Sequence, residues 1–569
     1  MRVFSFQSVL TLLALLCWTM HLGSPHANGA SRKPVKAAGG MAVSADSFAS
    51  AAGAEVLRRG GNAVDAAVMM GFVLAVTYPE AGNLGGGGFM LIRMADGRAT
   101  MIDFREKAST AAHKDMFLDA QRNPVPGMSQ RGTIAAGVPG TVAGFLLALE
   151  RYGTRQRSDL LKYPQKLAAE GITVNERLAE SLQKYLPDSL ASRSALAVFR
   201  PGGVSLRAGD LLRQPELAGT IRAIRERGAD GFYRGSVAGK IVDEVKRGGG
   251  IMSLDDLSSY RAVERQPLTG SYRGHEIMTA APPAGGGVTL IEMLNILERF
   301  DMKGRGHGSS RALHLFTAAA RRAYADRALY LGDPDFVDVP VDSLIGREYG
   351  LRNASTIDTL RAGPSESDTG AREIRQTTHF CTADRFGNAV STTYTLNDNY
   401  GCKTLVTGAG FFLNNQMDDF AVKQDVPNMF GLVGGDANAI APGKRMLSSM
   451  TPTIVLKDRK PVLVLGARGG SRISTSVAQV IMNVIDFGLS LQEAVDAPRI
   501  HYQWRPDELL YELNGLPADV VVNLRAIGYL VKETPDHNGR CHALMIAQDG
   551  STFFGAPDPR EEGVAIGCD

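Results

Sequence analysis

The chain has few cysteines, almost no net charge and no long apolar segment. Five cysteines occur in 569 residues, and 62 Lys and Arg against 59 Asp and Glu leave a formal net charge of +3. So small a charge provides no global field that favours nucleic acid or an anionic membrane surface. Because a spanning helix needs about 20 apolar residues, we also expect no membrane anchor in the mature protein.

The first 29 residues predict a secretory signal peptide. Arg2 precedes an apolar run from Val9 to about Trp18, and small residues follow from Gly23 to Ala30. The run is about ten to twelve residues long, which is too short to span a bilayer. Cys17 could carry a lipid, but Leu16 stands where a small residue is needed. We therefore expect export across the inner membrane to the periplasm or the exterior.

Four cysteines remain after removal of this leader: Cys381, Cys402, Cys541 and Cys568. None belongs to a CxxC pair, so a thioredoxin-like or zinc-ribbon site has little support. Export makes disulfides possible, and buried free thiols are the alternative. The sequence does not choose between them.

Several common catalytic signatures are also missing. The chain has no GxSxG elbow, HExxH helix, GxxxxGK[ST] loop or dinucleotide-binding GxGxxG between strand and helix. Its four consecutive glycines, Gly85 to Gly88, have no lysine partner and favour a tight turn with close backbone approach. No Cys, His and Asp cluster has metal-ligand spacing, so neither a metal nor an organic cofactor is implied.

Apolar periodicity predicts a helix-rich first part. Helices are expected at Ser47–Arg58, Ala63–Val76 and Thr141–Tyr152, and through most of Leu160–Ala328. Phe89–Met94 and Thr100–Phe104 are expected to be strands joined at Asp96-Gly97.

The pattern changes after a polar segment, residues 353–375, that is typical of an exposed linker. The predicted strands that follow are Thr377–Ala383, Ala389–Leu396, Thr453–Lys457 and Val462–Leu465. A linker that ends at a strand beginning Thr377-Thr378-His379 suggests a processing site after Gln376.

Long motifs in the same order resemble the γ-glutamyltransferase (γ-glutamyltranspeptidase) family of N-terminal-nucleophile hydrolases over nearly the whole mature chain. They are Gly82–Met90 (GNLGGGGFM), Asp103–Glu106 (DFRE), Pro139–Phe145 (PGTVAGF), Gly332–Val337 (GDPDFV), Thr377–His379, Thr395–Asn397, Asn414–Phe420 (NNQMDDF), Leu447–Met450 (LSSM) and Gly469-Gly470. The resemblance implies an α+β fold, a four-layer αββα sandwich formed jointly by two chains from one precursor. It divides the chain into a signal peptide (1–29), a helix-rich large subunit (30–376) and a small catalytic subunit (377–569).

The resemblance implies that Thr377 is the nucleophile. A threonine hydroxyl needs a base, and the α-amine of an N-terminal threonine, with an ordinary pKa near 7.7 to 8.0, can serve. The same hydroxyl would first attack the carbonyl of Gln376 and release the new terminus. Thr395 matches a second threonine that tunes the first, and the N–H groups of Gly469 and Gly470 match the oxyanion donors.

A zwitterionic substrate end needs partners of both signs. By resemblance, Arg105, Ser448 and Ser449 bind the α-carboxylate. Asn397, Gln416 and Asp419 accept hydrogen bonds from the α-ammonium. His379 could be taken for a general base, but we expect a structural role, because the terminal amine makes a histidine base unnecessary.

Two departures from the family pattern concern the acceptor side. Phe430, within residues 426–433, stands where relatives with a lid have a tyrosine that hydrogen-bonds the asparagine matched by Asn397. Arg468 stands where relatives often have proline. We expect a more open site with a larger share of hydrolysis, and a charge from Arg468 near the acceptor side.

The implied activity is that of a γ-glutamyltransferase and glutathione hydrolase. Such an enzyme takes glutathione as donor and passes the γ-glutamyl group to water, an amino acid or a dipeptide. A glutaryl or cephalosporin acylase of the same fold is the alternative enzyme, disfavoured by Asn397, Gln416 and Asp419 because glutaryl groups lack the α-amine. A solute-binding protein of the same compartment is the non-enzymatic alternative, for which a single uncleaved chain would be expected.

Overall fold

The computed structural model of the protein describes residues 31–363 and 377–569. The predicted signal peptide (1–29) and Gln376 therefore lie outside the described residues. The described residues from Pro34 onward form one compact unit. Within the described ranges, no helix has both the length and the apolar character needed to cross a membrane.

Most strands belong to two seven-stranded antiparallel sheets. The strands are β1 Val35–Ala37, β2 Gly40–Ser44, β3 Gly87–Arg93, β4 Ala99–Asp103, β5 Ile172–Thr173, β6 Leu211–Leu212, β7 Val263–Arg265, β8 Leu268–Tyr272, β9 His275–Thr279, β10 Thr378–Asp384, β11 Ala389–Thr395, β12 Thr453–Lys457, β13 Lys460–Arg468, β14 Ile500–His501, β15 Leu509–Glu512, β16 Val531–Thr534, β17 Arg540–Ile546, β18 Phe553–Ala556 and β19 Val564–Cys568. One sheet has the order β19-β2-β10-β11-β3-β4-β7, and the other β1-β18-β17-β13-β12-β9-β8. Strands β14 to β16 form a third, smaller sheet, and β5 pairs with β6.

The helices surround these sheets. They are α1 Ser47–Arg58, α2 Ala63–Thr77, α3 Thr141–Tyr152, α4 Arg157–Leu160, α5 Lys162–Glu170, α6 Glu176–Tyr185, α7 Arg193–Phe199, α8 Pro215–Arg227, α9 Asp230–Tyr233, α10 Gly235–Arg247, α11 Leu254–Ser259, α12 Gly285–Leu297, α13 Met302–Arg305, α14 Ser310–Tyr330, α15 Val341–Leu344, α16 Arg347–Ser355, α17 Ile473–Ile485, α18 Leu491–Asp496 and α19 Ala518–Ala526.

Local chemistry explains where the first two helices begin. The Asp46 side chain accepts from the backbone N–H of Ala49 and caps α1. Asn62 and Asp65 form a capping box at the start of α2. Every residue of α2 is buried. A helix that is apolar all round belongs in the interior, and α2 packs directly on β10 and β11.

The two large sheets contact each other through their central strands. Strands β10 and β11 pack against β13, and β10 also packs against β17. On the far side of that second sheet, α17 packs on β13 and α12 on β8. Every residue of β10 and β11 is buried, which agrees with their central place in the first sheet.

The structure confirms the predicted helices at Ser47–Arg58 and Thr141–Tyr152 and the predicted strand at Thr453–Lys457. The prediction that Leu160–Ala328 is mostly helical missed β7, β8 and β9. Strands β7 and β8 lie at sheet edges and keep many residues partly exposed, so they lack the apolar alternation that marks a buried strand.

The structure also bears on the predicted linker and on the state of the four cysteines. The first residues of the predicted linker, up to Ser355, end helix α16, and residues 364–375 lie outside the described ranges. Cys381, Cys402, Cys541 and Cys568 are all buried free thiols, which selects the second of the two alternatives for the cysteines.

Candidate active site

The β10–β11 hairpin brings two threonines together. Its register pairs Thr378 with Tyr394, so Thr377 at the start of one strand lies opposite Thr395 at the end of the other. The Thr377 hydroxyl donates to the Thr395 hydroxyl at 3.4 Å, and Thr395 Oγ1 accepts from the backbone N–H of Asn397 at 2.8 Å. A turn at Asp384 to Asn388 closes the hairpin, with Asp384 Oδ1 accepting from the N–H groups of Phe386 and Asn388.

A single pocket contains this pair and nearly all of the predicted site residues. Its lining consists of Arg105, Thr377, Thr395, Asn397, Gln416, Asp419, Phe430, Ser448, Ser449, Met450, Gly470 and Ile473. Gly469 is adjacent in sequence but is not part of the lining. The pocket has a volume of about 20 Å³, which holds about one water molecule.

Arg105 and Asp419 contact each other inside this pocket. Arg105 is fully buried, and its Nη2 donates to Asp419 Oδ2. The same guanidinium also donates to the carbonyl oxygens of Met446 (3.1 Å) and Leu447 (3.3 Å). The two residues predicted to hold opposite ends of a zwitterion thus neutralise each other, and a substrate must separate or bridge them.

Glu106 contacts Arg105, and its protonation state changes the net charge beside the pocket. Arg105 Nη1 is 3.5 Å from Glu106 Oε2, and both side chains are fully buried. Burial raises the pKa of Glu106 to about 8, although Arg105 acts against this shift. At neutral pH the Glu106 carboxyl is therefore mostly protonated and leaves Arg105 to its other partners.

The predicted ammonium ligands are held by local hydrogen bonds. Gln416 and Asp419 are on one 3₁₀ turn, and Gln416 Nε2 donates to Asp419 Oδ2 at 2.8 Å. Asn397 has a positive φ of 79°, and its amide donates to the carbonyl of Asn415 at 3.1 Å. These bonds leave carboxylate and amide oxygens at the pocket surface, where an ammonium could be bound.

The serine pair completes the predicted carboxylate end. Ser448 Oγ accepts from the N–H of Met450 at 3.1 Å, and Ser449 Oγ accepts from Arg327 Nη2 at 3.1 Å. Arg327 belongs to α14 and was not expected from the sequence.

Gly469 and Gly470 form the turn between β13 and α17, with φ values of 137° and 57°. A Cβ on Gly470 would lie 2.5 Å from the Phe430 ring, and one on Gly469 would lie 2.9 Å from Gly539. Only glycine fits both the conformation and the space. Because α17 begins at Ile473, the positive end of a helix dipole faces the pocket, which suits the binding of negative charge.

The segment that includes Phe430 closes over the pocket. Phe430 is 5% exposed, its ring lies against Gly470, and its carbonyl accepts from Gln503. Ring packing on Gly470 holds Phe430 in place without a tyrosine hydroxyl, and the larger share of hydrolysis stays a prediction. Asn397 Nδ2 is 3.6 Å from Met429 Sδ instead.

Asp418 anchors this covering segment from below. Its carboxylate accepts from the N–H of Met429 at 2.9 Å and from the hydroxyl of Ser129 at 2.6 Å. Burial raises the pKa of Asp418 to about 6, against the effect of these two hydrogen bonds. The anchor is thus ionised at neutral pH.

Arg468 does not carry its charge into the pocket. Its guanidinium forms ion pairs with Glu561 (2.9 Å) and Glu80 (3.6 Å), and it also donates to the Tyr78 hydroxyl. It lines a separate cavity of about 680 Å³. Arg468 is not among the residues that line the Thr377 pocket, and its influence on the acceptor side stays a prediction.

His379 has the expected structural surroundings. It is fully buried, its Nδ1 is 2.9 Å from Thr393 Oγ1, and it is not among the residues that line the pocket. Burial, with a smaller effect of His542, holds its pKa well below the ordinary value. The ring packs against Gly466 outside the pocket lining, and its low pKa makes it a weak base, which agrees with a structural role.

The residues that were not expected fall into two groups. Asn415 and Asp418 lie inside the predicted motif Asn414–Phe420, so that motif could have found them. Met450 likewise ends the predicted motif Leu447–Met450, whereas Ile473 and Arg327 reach the site only through tertiary packing. Within the described ranges, no cluster of His, Cys, Asp and Glu could hold a metal ion.

Comparisons of the sequence with known proteins agree on one family. The sequence model of the gamma-glutamyltranspeptidase family matches residues 49–568. The chain is 48% identical to the glutathione hydrolase proenzyme of Escherichia coli (strain K12) over 532 residues, covering 93% of this chain and 91% of the relative. It is 44% identical to the glutathione hydrolase proenzyme of Pseudomonas sp. (strain A14), with 99% of each covered.

Solved structures show the same fold in two kinds of protein. The cephalosporin acylase of Bacillus halodurans matches with a TM-score of 0.85 at 26% identity, over 97% of this chain and 99% of that one. The gamma-glutamyltranspeptidase of Helicobacter pylori matches with a TM-score of 0.56 at 44% identity, over 60% of this chain and 95% of that one.

Proposed function

The chain belongs to the γ-glutamyltranspeptidase family, and from that premise we propose that the pocket at Thr377 cleaves and transfers γ-glutamyl groups through a covalent threonyl ester. The protein is an enzyme, a γ-glutamyltransferase and glutathione hydrolase. Its donor is a γ-glutamyl amide such as glutathione, and its acceptor is water, an amino acid or a dipeptide.

The first step we propose is maturation. The Thr377 hydroxyl attacks the carbonyl carbon of Gln376, the peptide nitrogen leaves and takes up a proton, and an ester links the two residues. Water then hydrolyses this ester, which releases the Gln376 carboxylate and restores the Thr377 hydroxyl, so that Thr377 begins the new chain with a free α-amine. The products would be a large subunit (30–376) and a small subunit (377–569), which together form the four-layer αββα sandwich as a heterodimer.

The second step is turnover. The freed amine takes the proton of the Thr377 hydroxyl as its oxygen attacks the γ-amide carbon of the donor. Negative charge then develops on the former carbonyl oxygen, for which the N–H groups of Gly469 and Gly470 at the start of α17 are the proposed donors. Collapse expels the amine of the leaving group in protonated form. Water or an acceptor amine then attacks the ester and regenerates Thr377.

One observation carries this proposal most strongly. The hydroxyl pair of Thr377 and Thr395 lies in the same small pocket as Arg105 and Asp419. The nucleophile therefore shares one small pocket with a partner for an α-carboxylate and a partner for an α-ammonium. This matches the γ-glutamyl end of a donor, which carries both groups beside a reactive γ-carbonyl.

An acylase that removes glutaryl groups is the second candidate, because a cephalosporin acylase shares the fold over 97% of this chain. A glutaryl group has the carboxylate but not the ammonium. If the glutaryl carboxylate takes Arg105 away from Asp419, then Asp419 loses its cation and no substrate ammonium replaces it, which is costly. The pocket therefore favours γ-glutamyl donors.

Purified wild-type protein tests the proposal in two assays. A denaturing gel should show two chains, and sequencing of the smaller one should begin Thr-Thr-His-Phe. The γ-glutamyl anilide should be cleaved with a much higher kcat/KM than the glutaryl anilide. Equal rates, or faster cleavage of the glutaryl compound, would favour the acylase.

Matched variants of the nucleophile assign both steps to one atom. Thr377→Ala should leave a single chain and lower turnover by at least about a thousandfold, because it removes the attacking oxygen. Thr377→Ser keeps the hydroxyl and should retain part of both activities. A cleaved and active Thr377→Ala protein would contradict the mechanism.

We also propose that residues 1–29 are a signal peptide and that the enzyme works in the periplasm or outside the cell. The support is the sequence pattern alone. Fractionation of expressing cells, with N-terminal sequencing of the large chain, tests this assignment.

A further inference from the structure

Unlike the buried residues Arg105, Arg445 and Arg499, Arg327 has no carboxylate partner among the described residues. Its side chain is 6% exposed, and it projects from the last turn of α14. Among the described residues it makes no ion pair, and its Nε has no hydrogen-bond partner. By comparison, Arg499 lies 2.6 Å from Asp558, and Arg445 lies 3.4 Å from Asp103.

Within the described part of the chain, this guanidinium forms its side-chain hydrogen bond with a residue of the pocket. Arg327 Nη2 donates to Ser449 Oγ at 3.1 Å, and Ser449 lines the Thr377 pocket. A serine hydroxyl has one proton to donate and two lone pairs that accept. Because Arg327 occupies one lone pair, the Ser449 proton is left to be donated, and the pocket offers the place where an acceptor can bind.

The charges around the pocket indicate a role for the contact between Arg327 and Ser449. Arg105 is already paired with Asp419, and Glu106 is mostly neutral below pH 8. Burial lowers the pKa of the Arg327 guanidinium, and Tyr324 and Asp419 oppose that shift, but an arginine keeps its charge at any working pH. Arg327 is therefore a buried positive charge beside the Thr377 pocket that has no ion-pair partner among the described residues.

We propose that Arg327 is a positioning residue for substrate recognition: it orients the Ser449 hydroxyl toward the α-carboxylate of the γ-glutamyl donor and supplies the positive charge that favours an anionic α-carboxyl group. The inference rests on the proposed function and adds to it a specificity. Donors with a free α-carboxylate are selected over those with an α-ester or α-amide. Arg327 itself makes no contact with the reacting atoms.

The test compares two ligands that differ only at the α-carboxyl group. L-Glutamate and its α-amide are used as competitive inhibitors of γ-glutamyl anilide cleavage by wild type, Arg327→Gln and Arg327→Lys. In Arg327→Gln, we expect the inhibition constant of glutamate and the donor KM to rise about ten- to a hundredfold. The constant of the α-amide should change less than threefold, and kcat should stay within about threefold.

Ser449→Ala and the double variant identify the route of the effect. If Arg327 acts through the Ser449 hydroxyl, Arg327→Gln should cost much less in the Ser449→Ala background than in wild type. Arg327→Lys should recover part of the glutamate affinity, since it keeps the charge. If Arg327→Gln gives no processed protein, Arg327→Lys takes its place in the inhibition measurements.

The outcomes separate this inference from the function on which it rests. If wild type does not cleave the γ-glutamyl anilide, the proposed function fails. If wild type cleaves it but Arg327→Gln and Arg327→Lys weaken glutamate and its α-amide equally, or neither of them, the role of Arg327 is refuted. Additive effects of Arg327→Gln and Ser449→Ala refute the route through Ser449.

Discussion

Two buried groups of charged residues lie near the Gly469-Gly470 turn. They differ in how readily their ion pairs can be exchanged for contacts with a bound ligand. In the Thr377 pocket, Arg105 and Asp419 contact each other directly, beside a space of about 20 Å³ that is also lined by hydroxyl and amide groups. Beyond the turn, Arg468, Glu80, Glu561 and Arg177 form a charge cluster in which each guanidinium contacts a carboxylate.

The surroundings of the second group restrain it. Arg177 and Arg468 both lie over the Tyr78 ring, at 4.0 and 5.7 Å from its centroid. Ser181 donates to Glu80 and contacts Tyr400, and His542 lies 2.7 Å from Glu561. Although burial opposes ionisation, Arg468 holds the pKa of Glu561 well below its ordinary value.

The comparison shows that the same residue types can serve binding or stability. A charge pair beside a pocket and unused hydrogen-bonding groups can exchange its partner for a substrate. The second group also borders a cavity, of about 680 Å³, but there each guanidinium contacts a carboxylate and lies over the Tyr78 ring, so we expect the group to contribute mainly to the folded state. Substitutions in the two regions should therefore affect different measurements.

Replacement of Arg468 should have the largest effect on stability. Arg468→Met leaves Glu561 and Glu80 buried with one cation fewer, which costs about 3–5 kcal/mol of unfolding free energy. Thermal and urea unfolding measure this loss. The donor KM should stay within about twofold, because Arg468 does not line the Thr377 pocket.

Arg58→Ala is the matched control for Arg468→Met. It breaks an ion pair with Glu55 whose side chains are 51% and 43% exposed, and it should cost at most about 1 kcal/mol. A stability loss in Arg468→Met no larger than in this control would remove the distinction between the two regions.

Replacement of Arg105 or Asp419 should have the next largest effect, and on catalysis. Each change leaves one buried charge without its partner, a loss of about 2 to 5 kcal/mol by the precedent of interface charge pairs. We expect kcat/KM for γ-glutamyl anilide to fall by about a hundredfold or more. The glutaryl anilide, which has no ammonium, should respond to Arg105→Ala more than to Asp419→Ala. Near-normal kcat/KM in either variant removes that residue from the pocket assignment.

A smaller effect is expected from Phe430→Tyr in the covering segment. The added hydroxyl can form a hydrogen bond with Asn397, whose amide contacts Met429 and Asn415 in the present structure. A net hydrogen bond of about 0.5–1.5 kcal/mol should raise the ratio of transfer to hydrolysis about two- to tenfold. The measurement is transfer to glycylglycine against hydrolysis at a fixed donor concentration. An unchanged ratio would show that this segment does not control acceptor choice.

The smallest expected effect is a rise in donor KM at alkaline pH. The pKa of Glu106 is raised from an ordinary 4.5 to about 8, so the carboxyl is neutral at pH 7 and becomes ionised as the pH passes 8. The new carboxylate then competes with the substrate for Arg105, at 3.5 Å. We expect KM to rise about two- to fivefold between pH 7 and 9, within the range of one net hydrogen bond. Glu106→Gln, which stays neutral, should abolish the rise; an equal rise in both proteins would contradict it.

Much of the fold and the site could be predicted because the signals are local. The helix Thr141–Tyr152 and the strand Thr453–Lys457 have the expected bounds, since apolar periodicity and flanking turns determine them. Arg105, Thr377, Thr395 and Asp419 were predicted from motifs and lie in one pocket. The edge strands at Val263–Arg265 and Leu268–Tyr272 were missed, because partly exposed edges keep no clear apolar alternation.

The sequence by itself determined the family, the helix-rich and strand-rich parts, and which residue types carry the chemistry, because each depends on short motifs and local periodicity. Only the tertiary structure decided where the long side chains go. Arg327 comes from α14 to hold Ser449, Arg468 points away into its own charge cluster, and Phe430 packs on Gly470. These outcomes depend on which distant segments meet in the folded chain, and sequence spacing carries no information about such contacts.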